Sequence, residues 1–121
     1  MRRSIRLTSL PVLAVTAVLA TAPAGSAATN CQKGRERSFK ATYVTKITTK
    51  VVGCATGRKV VKAFHECRRR KGVSGRCTTK VLGYSCTERR PAAERIPTQY
   101  TGYVTCKSGS KRVVQVYQQD T

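Results

Sequence analysis

Tryptophan is absent from this chain of 121 residues, and there are only one histidine, one methionine and two phenylalanines. Acids are scarce too, at five: Glu36, Glu66, Glu88, Glu94 and Asp120. Each shortage excludes something. With His65 as the lone histidine and Asp120 as the lone aspartate, at the C-terminus, no Ser-His-Asp arrangement is legible. No CxxC pair is present, so the residues give no metal-ligand spacing and imply no cofactor. Beyond residue 27 the large apolar side chains are Leu82, Ile47, Ile96, Phe39 and Phe64, which leaves valine to build most of the interior.

A long apolar run is missing as well. The N-terminus has Arg2, Arg3 and Arg6, then an alanine-rich apolar stretch from Leu7 to Ala22, then Ala24-Gly25-Ser26-Ala27-Ala28. A basic start, a short apolar middle and a small-residue end make a secretory signal. The uninterrupted apolar part falls short of the roughly 20 residues of a membrane span. Residues 1–27 are therefore read as a signal peptide cleaved after Ala27, with Ala24 and Ala28 as alternatives, and no transmembrane segment follows it. The mature chain forms one domain, a polar arm over 28–38 followed by a body over 39–121.

All six cysteines, Cys31, Cys54, Cys67, Cys77, Cys86 and Cys106, lie beyond the signal. An even number in a short exported chain reads as a disulfide framework. Charge is the other excess. Removing the three arginines of the signal from 24 basic residues leaves 21 against five acids, a net charge of +16. Such a charge attracts polyanions with a strength that falls with salt.

From Phe39 to Val52 the pattern has period two, with Phe39, Ala41, Tyr43, Thr45, Ile47, Thr49 and Val51 on one side. Lys40, Thr42, Val44, Lys46, Thr48, Lys50 and Val52 take the other, which predicts a strand with one buried face and one Lys/Thr face. Residues 54–69 follow as an amphipathic helix. Cys54, Gly57, Val61, Phe64 and Arg68 share its inner stripe, and Gly57 is expected to allow a close approach to the sheet. Strands are expected over 77–88, 99–107 and 111–118, with a hairpin turn at Ser108-Gly109-Ser110. The fold class is α+β: one helix on a small antiparallel sheet of three to four strands, stapled by disulfides.

Geometry limits the pairing of cysteines. Cys54 and Cys67 lie on one helix about 20 Å apart, beyond the roughly 7 Å a disulfide tolerates. Cys67 and Cys77 flank a loop with Gly72 and Gly75 and are the preferred bridge. Cys54 begins the sheet-facing stripe and is expected to reach either Cys86 or Cys106. Of these alternatives the expected set is Cys54 with Cys106 and Cys31 with Cys86.

Cys54-Ala55-Thr56-Gly57-Arg58-Lys59-Val60, Gly83-Tyr84-Ser85-Cys86 and Val104-Thr105-Cys106-Lys107-Ser108-Gly109 resemble the short motifs of small secreted cysteine-containing proteins common in actinobacteria. The likeness spans about residues 50–117. It implies a structural kinship and no activity or functional residue. Cys67 and Cys77 lie outside these motifs, as an additional pair.

The sequence does not determine the function. The reading its residues carry best is a secreted, non-enzymatic binding module for an anionic polymer or surface, such as cell wall, nucleic acid or anionic lipid. The candidate residues are Lys40, Lys46 and Lys50 on the strand, Arg58, Lys59, Lys62 and Arg69 on the outer helix, and Arg68, Arg70 and Lys71 at its end. One alternative is a small ribonuclease using His65, Glu66 and an arginine, although adjacent helix positions point about 100° apart. The other is a disulfide-braced protease inhibitor or effector presenting Arg89 or Arg90 from the loop that ends at Pro97.

Overall fold

The computed structural model describes Ala14, residues 27–31, the backbone of 36–39, and residues 41–121. The signal read over 1–27 falls almost wholly outside these residues, as does Lys40. The elements run β1 (Thr29–Asn30), β2 (Glu36–Phe39), β3 (Thr42–Lys50), α1 (Cys54–Arg69), β4 (Ser85–Arg89), a short 3-10 turn (Ala92–Glu94), β5 (Gln99–Ser108) and β6 (Lys111–Asp120). One helix lies on an antiparallel sheet ordered β1-β3-β6-β5-β4, with β2 sharing the outer edge of β3 with β1. The class is α+β, as expected. The sheet has five positions rather than three or four, because the stretch read as a polar arm supplies β1 and β2.

The alternation read along β3 breaks once. Its ladder with β6 slips between Val44 and Lys46, so one extra residue is accommodated as a β-bulge and the phase of the strand reverses. Thr42 and Val44, read from sequence on the lysine side, are thereby buried with Ile47 and Thr49 under the helix. Lys46, Thr48 and Lys50 face the opposite way.

The helix has the limits expected for it. Val60, Val61 and Phe64 are buried against a layer that includes Val44, Ile47, Val104, Val113 and Tyr117, each such side chain contributing about 1.5–3 kcal/mol over exposure. Gly57 acts as anticipated: a Cβ there would run into the Thr49 side chain of β3. Gly72, at φ 96°, takes the left-handed conformation that turns the chain away after the helix.

The strand expected over 77–88 begins only at Ser85. Leu82 (φ 50°) and Gly83 (φ 80°) form a tight turn closed by two hydrogen bonds between Val81 and Tyr84, at 3.0 and 2.8 Å. The hairpin at Ser108–Lys111 does form, with Gly109 left-handed at φ 59°.

Three disulfides tie these pieces together, and Cys67–Cys77 joins the helix end to the following loop with Cα atoms 5.2 Å apart. The other two expected pairs are overturned. Cys86 and Cys106 are directly opposite in the β4–β5 ladder, 4.0 Å apart at Cα, and pair with each other. Cys31 is anchored beside β3 by its amide on the Ile47 carbonyl at 2.8 Å. That places it at the helix start, where it bonds Cys54, 5.3 Å away at Cα. Pairing is decided by strand register, which spacing alone does not reveal.

Candidate functional site

The C-terminal half of the helix covers a buried polar cluster. His65 and Arg68 are fully buried. Arg68 Nε donates to His65 Nδ1 at 2.8 Å, and its Nη2 donates to Thr42 Oγ1 and Gln119 Oε1 at 2.8 and 2.7 Å. Its Nη1 donates to the Val73 carbonyl at 3.1 Å, and its guanidinium lies 4.6 Å from the centre of the Tyr117 ring. With Nδ1 accepting, the opposite imidazole nitrogen of His65 carries the proton and donates to Gln115 Oε1 at 2.7 Å. Burial, reinforced by the Arg68 charge, lowers the imidazole pKa to about 3.

His65 is enclosed and neutral, while Glu66 points to solvent beside Lys62 at 4.0 Å, so the two do not converge on a substrate. Arg68, expected from the sequence to contact a polymer, is instead part of the interior because it closes the buried stripe of the helix. Its charge organises neighbours instead of meeting a ligand.

Arg90 is also turned inward. It donates to the carbonyls of Ser74 and Gly75 at 2.8 and 2.7 Å and forks onto both oxygens of Glu88 at 3.1 Å. Glu88 in turn accepts from the Tyr117 hydroxyl and pairs with Arg76 at 3.5 Å. Arg90 is thus a clamp between β4 and the loop after the helix, and an inhibitor built on Arg90 has no free side chain to offer.

The remaining cations divide between two sides of the sheet. Arg58, Lys59 and Lys62 are exposed on the helix, Arg70 and Lys71 are exposed just after it, and Arg69 is half-buried. Arg58 is engaged with the Cys31 carbonyl at 2.6 Å, and Lys71 with the Thr78 hydroxyl at 3.1 Å. Lys46 and Lys50 are on the far side of the sheet. The helix set and the strand set therefore do not merge into one field, because the sheet lies between them.

The far side is the more ordered of the two. Antiparallel register puts Lys50, Arg112 and Lys107 directly opposite one another on β3, β6 and β5. Two residues along the strands comes a row of Thr48, Val114, Thr105 and Thr87. Two further on lies a second mixed row, Lys46, Val116, Tyr103 and Arg89. At about 3.4 Å per residue, the cationic rows stand about 14 Å apart.

Like charges facing each other across strands destabilise a sheet. Among the described residues the ion pairs are Lys62–Glu66, Arg76–Glu88 and Arg90–Glu88, so no carboxylate neutralises either row. Arg112 is folded onto backbone carbonyls of Gly109 and Lys111. Between the rows is a hollow of about 430 Å³ lined by Thr87, Glu88, Arg89, Tyr103, Val104, Thr105 and Val114. Tyr103 is fixed at its rim, with the Arg89 guanidinium 4.6 Å from the ring centre and the hydroxyl donating to Glu94 at 2.8 Å. The Glu94 hydrogen bond, more than burial, raises the Tyr103 pKa above the ordinary phenol value.

No family model, curated protein or solved structure matches the chain. The site is therefore read from its own geometry. All six cysteines are in disulfides, and no group of three or more metal-ligating side chains occurs among the described residues. No helix there is long and apolar enough to cross a membrane. Three disulfides in so small a domain are typical of extracellular proteins.

Lys107, Arg112 and Arg89 were missed as polymer-contacting candidates in the sequence. Each falls within or beside an ordinary strand pattern, and they align with Lys50 and Lys46 only through the register of four strands.

Proposed function

We propose that this chain is a secreted, basic, non-enzymatic module that binds an anionic polymer through the open face of its sheet. The observation that carries this reading is the row Lys50–Arg112–Lys107. Three cations at neighbouring strand positions repel one another, and a bound polyanion relieves that repulsion in place of the missing carboxylates. The rigid sheet holds them at fixed spacing, so little side-chain and backbone order has to be created on binding. The basic start and short apolar segment of residues 1–27 support export, as do the three disulfides. Withdrawal of the lone histidine from solvent weighs against a ribonuclease centred on it.

Direct comparison of the two basic sides tests the assignment. Inorganic polyphosphate is titrated at low salt against the triple variant Lys50→Ala/Lys107→Ala/Arg112→Ala and against Lys59→Ala/Lys62→Ala/Arg70→Ala. Both remove three charges. The sheet variant is expected to lose tenfold or more in affinity and the helix variant several-fold less. Equal losses in the two variants mean diffuse attraction to net charge and refute a defined face.

A further inference from the structure

The hollow between the cationic rows has features that charge attraction alone does not require. Its lining combines the apolar Val114, the hydroxyl residues Thr87 and Thr105, and Tyr103 with the Arg89 guanidinium over its ring. A polymer running from the Lys50–Arg112–Lys107 row to Lys46 and Arg89 passes directly over this space. We infer that the occupant is single-stranded nucleic acid, with phosphates on the two cationic rows and one base lodged in the hollow against Tyr103. This rests on the polymer-binding reading above and narrows it.

The chemistry favours a base over the repeating units of other polyanions. Aromatic side chains beside a positively charged track form the usual platform for single strands, since every base offers a flat π-face. An arginine already over a tyrosine extends the stack by a cation–π contact. The Thr87 hydroxyl donates to the Thr105 carbonyl at 3.5 Å and still accepts, and the Thr105 hydroxyl donates and accepts, so the pair suits the mixed edge of a base without demanding one identity. Polyol phosphates and sulfated glycans have the charge but no aromatic plane to set against Tyr103 and Val114. Glu94 stands beside Tyr103, held by its hydroxyl. It directs phosphates to the cationic rows and away from that corner. Glu88, the acid that lines the hollow itself, has its carboxylate engaged by Arg90, Arg76 and the Tyr117 hydroxyl. A duplex keeps its bases stacked inside and has none to offer the hollow.

Fluorescence anisotropy of the whole mature chain decides between these ligands. The probes are a labelled oligothymidylate and an abasic phosphodiester oligomer of the same length and charge. The oligothymidylate is expected to bind about tenfold more tightly, a factor within the range of stacking one base. Tyr103→Ala is expected to abolish that difference, whereas Tyr103→Phe, which keeps the ring, preserves it. Equal affinity for the two oligomers in the unmutated protein overturns base recognition and leaves a phosphate-binding face. A difference that survives Tyr103→Ala overturns the assignment of the hollow. Absence of binding to either oligomer and to inorganic polyphosphate overturns the polymer-binding reading itself.

Discussion

His65 and Arg68 illustrate what a buried polar side chain does in an interior short of large apolar groups. Arg68 is fully buried, yet its donors meet His65, Thr42, Gln119 and the Val73 carbonyl, and its flat face meets Tyr117. Its charge is satisfied by oxygens, an imidazole nitrogen and a π-system, with no carboxylate in direct contact among the described residues. The imidazole must stay neutral for this arrangement to hold, because Nδ1 accepts from Arg68 and a protonated ring would set two positive charges together. The sign of the pH effect follows. In the unfolded chain His65 takes its proton near the ordinary 6.5, and in the folded chain near about 3. Between those values the unfolded state binds the extra proton, so stability falls as pH falls. This group alone accounts for about 1.4 kcal/mol per pH unit across that window. Urea denaturation from pH 7 to pH 4 checks it: the midpoint is expected to drop steadily below pH 6.5, and a flat profile contradicts the neutral, enclosed imidazole.

At the scale of elements, disulfides and strand register do the work that a larger core does elsewhere. Cys86–Cys106 pins the edge strand β4 to β5, and Cys67–Cys77 holds the loop whose carbonyls receive Arg90. Replacing Cys86 and Cys106 together with serine is expected to cost about 2–4 kcal/mol, measured by chemical denaturation. A loss within about 0.5 kcal/mol would mean that the bridge leaves β4 no better fixed. The helix was legible from residue types because its limits, its glycine and its apolar stripe are local features. So was the Cys67–Cys77 bridge, whose closure depends on one short loop. The other two pairs were not legible, since Cys86 meets Cys106 only once β4 and β5 are in register. The phase of β3 was half legible for a similar reason: a bulge reverses Thr42 and Val44 relative to Ile47 and leaves no mark in composition. The candidate site suffered most. Lys46 and Lys50 were identified on a strand face, while Arg112 and Lys107 become their neighbours through long-range pairing.

For the molecule as a whole, the sheet separates two unlike basic sides. The helix side has cations spread along the helix and just after it, several of them engaged with a carbonyl, a hydroxyl or Glu66. The open side has cations in rows with threonine and valine between them. Large net charge is a property of both, but alignment belongs to one. That distinction separates a binding face from a surface that is merely basic, and it makes counterion release the most informative quantity. The decisive measurement is the affinity of the mature chain for a single-stranded oligonucleotide across a series of salt concentrations. Each phosphate contact contributes about −0.7 to the slope of log affinity against log salt. With phosphates on the five cations of the two rows, the account predicts a slope of about −3.5, flattened by about 2 in Lys50→Ala/Lys107→Ala/Arg112→Ala and little changed in Lys59→Ala/Lys62→Ala/Arg70→Ala. A slope near zero, or one flattened equally by both variants, would contradict it.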